Sequence, residues 1–451
     1  MPPNGDRGGA CARASPLIGS RPKWAPAIRQ RYRIPEDPIV GQDSRGEALG
    51  PPRRDRLRTR LLFVNYEYPP IGGGAGSYTQ ALAEALVRRG RYGVEVVTSA
   101  FPSLPRVECP IPHLWLRRIP TIRRESGRCT LFEMGCFVAA SLLWGYRVAS
   151  TKESWAGCVG FLSLPSGVLP WFLRARLRLP YGLILLGGDV PGFYTSRGHA
   201  LFQRLTYPVN RRIWNQASFV LANSEGLRDL AQQAVPGLEI GILPTGVDTD
   251  RFRTVSRGFR PPLRLLFIGR LVRQKGADVL LDALSRLHGQ PGGPDWSLTI
   301  VGDGPERDRL ERMAVAGRIA DQVRFLGWVP PSSLSDLYLG HDVLVQPSRN
   351  EGMSCVIAEG MACGLPVLGT NCRGTQEQVV SGEGGLLVPV EDAGALAVAI
   401  RKACSSPDLL AQWSQGARRR AEEFSWSRLA ERFEGLVESV FPSMRDRGGE
   451  S

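Results

Sequence analysis

What most restricts the fold of this chain is a recurring unit: a short apolar run, a glycine loop, then a helix. In "RLLFVNYEYPP" (60–70), Leu61–Val64 form an apolar run too short for a helix and closed by polar and proline residues. The loop "IGGGAG" follows, and then a helical pattern with Leu82, Leu86 and alanines on one face. Gly90 stops that helix, and "VEVVTS" (94–99) reads as the next strand. A strand, a crossover helix and a second strand make a βαβ unit, which builds a parallel sheet with helices on its faces. Further strands are expected at 158–163, 182–186 and 219–223. Residues 241–262 read as a linker, after which the alternation restarts. Strands are then expected at 263–269, 297–301, 323–326, 342–347, 366–369 and 385–388. The predicted class is α/β: two Rossmann-like domains facing one another across a cleft. Ligands in open parallel sheets sit beyond the carboxyl ends of the strands, so the cleft is the expected site.

Composition narrows the function classes. Hydrophobic residues make up 43% of the 451, enough for two cores, and the net charge is +14. That charge is uneven: residues 1–60 hold 13 Lys+Arg against 6 Asp+Glu, and residues 101–214 hold 15 against 5. An anionic partner is expected, but no nucleic-acid motif accompanies the charge, and no nucleic acid is expected as partner. Residues 1–58, rich in Pro, Gly and Arg, are expected to be disordered, as is a short tail at 442–451. The nine cysteines form no C-x-x-C pair and there are four histidines, so no metal site is expected; buried reduced thiols point to a cytoplasmic protein. No N-terminal run looks like a signal peptide. The apolar stretch 136–149 is short of the roughly 20 residues of a membrane span, contains Arg147, and reads as a core helix.

The chemistry concentrates in "RNEGMSCVIAEGMACGLPV" (349–367). Ser354 is a natural N-cap, Cys355–Cys363 the helix, and Gly364 with Pro366 its stop. Glu351 therefore lies in the loop before a helix N-terminus, and Glu359 inside the helix. Eight helical residues rise about 12 Å, more than the roughly 5–9.5 Å that a hydrolase carboxylate pair needs. Two separate tasks fit better: each carboxylate accepts hydroxyl hydrogen bonds from a different part of an extended ligand, with an anion between them at the helix-end amides. In "GRLVRQKG" (269–276), Arg270 leaves a strand and Lys275 enters a helix, a pair of cations suited to a diphosphate. "GGGAG" (72–76) lets backbone approach a phosphate but is neither an ATPase loop nor a full G-x-G-x-x-G. "VGDGP" (301–305) and "RFLGWVP" (324–330) lie at further strand ends, and backbone in the second could meet a nucleobase.

Together these motifs resemble the family 4 retaining glycosyltransferases of the GT-B fold, over about residues 60–440. The E-x7-E segment in 347–370 is the most specific part, supported by "GRLVRQKG" and "PTGVDTDRF" (244–252), where Thr245 replaces the usual Asn. The resemblance implies an acceptor-side domain at 59–250 and a nucleotide-sugar domain at 251–425. A helix at 426–441 would then cross back to the first domain. It implies that Glu351 binds donor-sugar hydroxyls and Glu359 the ribose, and that Arg270 and Lys275 hold the diphosphate. Amides of Gly352, Met353, Ser354 and Cys355 would assist. Gly73 and Gly74 would approach from the first domain, and Gly327 and Trp328 would lie at the base. Where many relatives carry an N-domain histidine, this chain has Leu186; Asp189 remains a candidate for acceptor or sugar contact, or a capping aspartate. The expected reaction is metal-independent and cofactor-free. A nucleotide-diphosphate sugar, UDP-hexose by default and GDP-mannose next, would be co-substrate, and the acceptor a glycan or lipid-linked hydroxyl. The arginines of "LPWFLRARLRLPYGL" (169–183) suggest peripheral contact with the inner face of the cell membrane. Two rivals stand beside this reading: a sugar-nucleotide epimerase and a non-catalytic sugar-nucleotide-binding subunit.

Overall fold

The computed structural model describes residues 59–125, 129–151, 155–193, 197–255, 258–288, 290 and 293–441. The expectations for tails 1–58 and 442–451 lie outside the described residues. The first lobe contains β1 (Thr59–Val64), β2 (Tyr92–Ser99), β3 (Val107–Ile111), β4 (Leu114–Ile119), β5 (Gly157–Phe161), β6 (Tyr181–Leu185), β7 (Phe219–Ala222) and β8 (Gly241–Ile242). They form one sheet in the order β3-β4-β2-β1-β5-β6-β7-β8. The second lobe contains β9 (Leu263–Ile268), β10 (Trp296–Val301), β11 (Val323–Gly327), β12 (Val343–Gln346), β13 (Val367–Thr370) and β14 (Gly385–Val388), in the order β11-β10-β9-β12-β13-β14. All pairings are parallel except β3 with β4. This is the expected pair of Rossmann-like lobes.

The central strands read as near-continuous apolar runs because helices cover both faces of each sheet. Leu61, Leu62, Phe63 and Val64 of β1 are all fully buried, with alternate residues entering different clusters: Leu61 and Phe63 one, Leu62 and Val64 the other. The chain then crosses between lobes twice, at adjacent places. Val247 N–H donates to Phe424 O (2.9 Å), and Trp426 N–H to Val247 O (3.1 Å), so the two crossings share hydrogen bonds. After the second crossing, Ser425 caps helix Trp426–Val440. Leu429, Phe433 and Val437 enter the core cluster of β1, and the rings of Phe63 and Phe433 lie 6.3 Å apart, edge to face. Arg89 of helix Gly74–Arg89 fixes this return by donating to buried Glu434 (2.8 Å).

Two local readings need correction. The strands β3, β4 and β8 are absent from the sequence-based assignment: "VECPI" is largely exposed and carries a proline, "LWLRRI" is interrupted by two arginines, and β8 is only two residues at the start of the expected linker. Helix Leu131–Val148 runs longer than the apolar stretch at 136–149, is by length and composition apolar enough to cross a membrane, and is only 22% buried, so it is not a core helix. Its inner face packs Phe137, Ser141 and Gly145 against the lobe, while Leu131, Phe132, Ala139, Leu143 and Tyr146 face outward. Periodicity cannot separate a buried helix from an exposed one when both faces are apolar.

Candidate active site

The carboxyl end of β12 delivers the central group. Pro347 and Ser348 lead into the loop carrying Glu351, and Ser354 caps helix Cys355–Ala362 as its sequence predicts. Glu351 is held through one oxygen: Oε1 accepts from Ser348 Oγ (2.8 Å) and from the Lys275 ammonium. Its Oε2 has no hydrogen-bond partner among the described residues. The pair is tucked in, the Lys275 side chain being 23% exposed and that of Glu351 9%. Lys275 reaches Glu351 because the chain reverses tightly at Gly276, whose φ is +71° and whose added Cβ would lie 1.9 Å from Pro347 O. Arg270, at the end of β9, is exposed and has no ion-pair partner among the described residues. Lys275 is thus paired with Glu351, while Arg270 is exposed to solvent.

A brace holds this loop. Arg349 donates to both carboxylate oxygens of Asp278 (2.9 and 3.0 Å) and to Glu391 (2.6 Å), tying the β12 exit to helix Ala277–His288. The N–H groups of Gly352 and Met353 make no hydrogen bonds among the described residues, and space beside Gly352 is open to 4 Å. The Ser354 N–H, by contrast, is taken by Gln378 Oε1 (2.8 Å), and Cys355 opens the helix. Glu359 sits deeper, half-buried, where buried Tyr338 donates to its Oε2 (2.9 Å). Burial raises its carboxyl from 4.5 to about 7, against the opposing pull of the Tyr338 hydrogen bond and the Arg251 charge. The folded chain therefore holds this proton more tightly than the unfolded chain. Stability from this group is full below about pH 4.5 and is lost as pH rises through about 7. Thermal melts of ligand-free protein should accordingly fall more between about pH 5.5 and about pH 8 for wild type than for Glu359→Gln. Parallel curves would assign the slope elsewhere.

In the first lobe, Gly73 and Gly74 open helix Gly74–Arg89 with no side-chain cap, and a Cβ at either would meet nothing within 4 Å. Gly73 N–H donates to Glu67 Oε2 (3.1 Å). Gly327 closes β11 with φ +71°, and Trp328 beside it is 71% exposed. Asp189 is buried, and its oxygens accept from the N–H groups of Ser163 (2.8 Å), Gly187 (3.2 Å) and Leu186 (3.3 Å). It ties together the ends of β5 and β6. Ser348, Tyr338, Arg349 and Gln378 escaped the sequence reading. Only Ser348, three residues before Glu351, carried a local signal.

The comparisons with known proteins now bear on this geometry. Residues 73–246 match the family described as Glycosyl transferase 4-like domain, and residues 248–420 the one described as Glycosyl transferases group 1. A D-inositol 3-phosphate glycosyltransferase of Geodermatophilus obscurus is 38% identical over 387 residues, 79% of this chain and 82% of that one. This chain is a family 4 glycosyltransferase. The glycosyltransferase is also similar to a GDP-mannose-dependent alpha-(1-6)-phosphatidylinositol monomannoside mannosyltransferase of Mycolicibacterium smegmatis, 32% identical over 51% of this chain and 65% of that one. Among solved structures, a sucrose-phosphate synthase of Thermosynechococcus elongatus superposes with a TM-score of 0.72 at 25% identity, covering 85% of this chain and 99% of that one. Anabaena HepE in complex with UDP-glucose shares the fold, with a TM-score of 0.61 at 20% identity, over 85% of this chain and 100% of that one. The GT-B class expected from the sequence holds, and the enzyme draws on a nucleotide-sugar donor.

Proposed function

We propose that this glycosyltransferase is a retaining, metal-independent hexosyltransferase that moves a hexose from a nucleotide-diphosphate sugar to a glycan or lipid-linked hydroxyl. The observation that carries the reading is the Lys275–Glu351–Ser348 contact beside an unpaired Arg270 and the free amides of Gly352 and Met353. Arg270, Lys275 and these amides take the diphosphate, whose charge grows as the anomeric C–O bond breaks. Fixed donors aimed at developing charge supply the largest catalytic effect in most such sites. Glu351 Oε2 accepts a sugar hydroxyl and Glu359 the ribose, while Trp328 offers an exposed ring beside Gly327 for the base. Gly73 and Gly74 bring open backbone from the first lobe. The acceptor oxygen bonds to the anomeric carbon on the face the diphosphate leaves, and its proton passes to a departing phosphate oxygen. Glu351, tethered through Oε1, orients the sugar and forms no covalent bond. Asp189 sets the first-lobe loops rather than touching the sugar. UDP-hexose is the first donor to test and GDP-mannose the second, following the relatives' names. Incubation with each, followed by proton NMR of the product anomer, tests the reading; an inverted linkage ends it.

The acceptor side is proposed to meet the inner face of the cell membrane. The outward face of helix Leu131–Val148 shows Phe132 at 67% and Leu143 at 66% exposure. Burying such a side chain is favourable by about 1.5–3 kcal/mol. Exposed Arg147, Arg174, Arg176 and Arg178 accompany it, and the Arg176 guanidinium lies 6.0 Å from the Tyr146 ring. Near an acidic leaflet each cation adds about 1 kcal/mol. Vesicles containing phosphatidylglycerol should sediment the protein at low salt, and Phe132→Ser with Leu143→Ser should release it. Equal binding to neutral vesicles, or none, would count against the contact.

A further inference from the structure

We propose that Glu377 is a latch between the two lobes and that Gln378, its neighbour, transmits the state of that latch to the donor site. The inference rests on the reading that the donor diphosphate meets the loop at residues 351–354. Helix Arg373–Gln378 belongs to the second lobe and follows β13. Its Glu377 carboxylate reaches into the first lobe. The N–H of Glu225 donates to Oε2 (2.6 Å) and that of Gly226 to Oε1 (2.9 Å). These are the first two N–H groups of helix Glu225–Ala234, and the third, of Leu227, is taken by its own N-cap Ser224 (3.1 Å). The carboxylate thus completes the capping of a helix that its own lobe leaves incomplete. A negative group at a helix N-terminus is also favoured by the helix dipole. Gly226 permits the approach, since a Cβ there would meet Arg373 Cδ at 3.0 Å.

One residue further, Gln378 is fully buried and clasps Ser354 through both ends of its amide. Ser354 N–H donates to Oε1 (2.8 Å), and Nε2 donates to Ser354 O (2.9 Å). Ser354 is the N-cap of helix Cys355–Ala362, so Gln378 sets the loop that presents Gly352 and Met353. The same short helix approaches that loop at Gly374, whose N–H donates to Glu351 O (3.3 Å). Arg420 holds the helix from behind, donating to Glu377 O (2.8 Å). Opening the lobes breaks the Glu377 contacts, removes the outer support of helix Arg373–Gln378 and loosens the loop. Closing restores all three. The carboxylate touches no substrate in this scheme; Glu377 and Gln378 are positioning residues.

Hydrogen exchange of ligand-free protein tests the coupling without any donor. Glu377→Ala should raise exchange at amides 225–226, and also at the Ser354 amide that Gln378 holds, by about tenfold, the factor equivalent to about 1.4 kcal/mol. Glu377→Gln, which keeps an acceptor oxygen, should lie between. Faster exchange at 225–226 with no change at Ser354 would leave a contact without coupling and overturn the proposal. No change at either would show that the contact does not form. Kinetics gives the second readout, using UDP-glucose and GDP-mannose as probes. KM for the accepted donor should rise about tenfold in Glu377→Ala with kcat changed less than threefold, and melting temperature should hold within a few degrees. A fall confined to kcat would overturn it. If wild type uses neither probe, the donor reading is what fails, and the exchange experiment still decides the latch.

Discussion

Replacing Arg270 and Lys275 together by alanine is expected to lower kcat by about 10³-fold or more, with a much smaller change in acceptor KM. Removing one preorganised donor from a developing anion costs about 10²–10³ in rate, and here two cations are lost from one leaving group. The two singles should differ in kind. Arg270 is exposed and without an ion-pair partner among the described residues, so Arg270→Ala should leave the melting temperature unchanged and act on turnover alone. Lys275→Ala also frees Glu351, whose Oε1 would keep only Ser348. Its effect should therefore include misplacement of the sugar, seen as a higher donor KM. Nucleotide release measured at saturating donor and acceptor, with calorimetric melts of each variant, separates these contributions. Turnover of the double variant within tenfold of wild type would remove the diphosphate role from both residues.

The parts of this site that sequence made legible are those whose physics is local. Ser354 as N-cap, Gly364 beyond the helix end and the position of Glu351 in the loop all follow from capping chemistry within a few residues. The central strands of both lobes are legible because parallel strands covered on two faces must be apolar throughout. What stayed hidden depends on pairs far apart in the chain. Gln378 meets Ser354 across 24 positions, Lys275 meets Glu351 across 76, and Gly226 meets Glu377 across 151. No periodicity encodes such meetings. Asp189 shows the complementary difficulty. Its type and position suited a ligand contact or a cap equally, and only the three backbone N–H groups converging on it favour the second. Helix Leu131–Val148 is hard to place from sequence for another reason: an apolar pattern on both faces states that burial is favourable, not what does the burying.

Two glycines allow the geometry of the loop to be tested apart from its charges. Gly374→Ala should reduce kcat/KM by at least about 10²-fold, because its Cβ would lie 1.8 Å from Gly352 O and 2.9 Å from Glu351 O. Both neighbours are backbone, so the loop itself must move, and a displacement of about 1 Å near reacting groups costs about that factor. The expected stability loss is about 1–3 kcal/mol, the usual range for overpacking. Gly352→Ala makes the opposite case. Nothing lies within 4 Å of the added Cβ, so the fold should not register it. If a diphosphate approaches the Gly352 amide, however, the methyl group stands in its path, and donor KM should rise about tenfold with the melting temperature unchanged. Together the pair divides stability from ligand approach: the first substitution disturbs the loop from behind, the second obstructs it from in front. Normal donor KM in Gly352→Ala would mean the phosphates lie elsewhere, even if Gly374→Ala is inactive. That result would move the anion toward Arg270, exposed at the end of β9, and the open space beside Gly73 and Gly74.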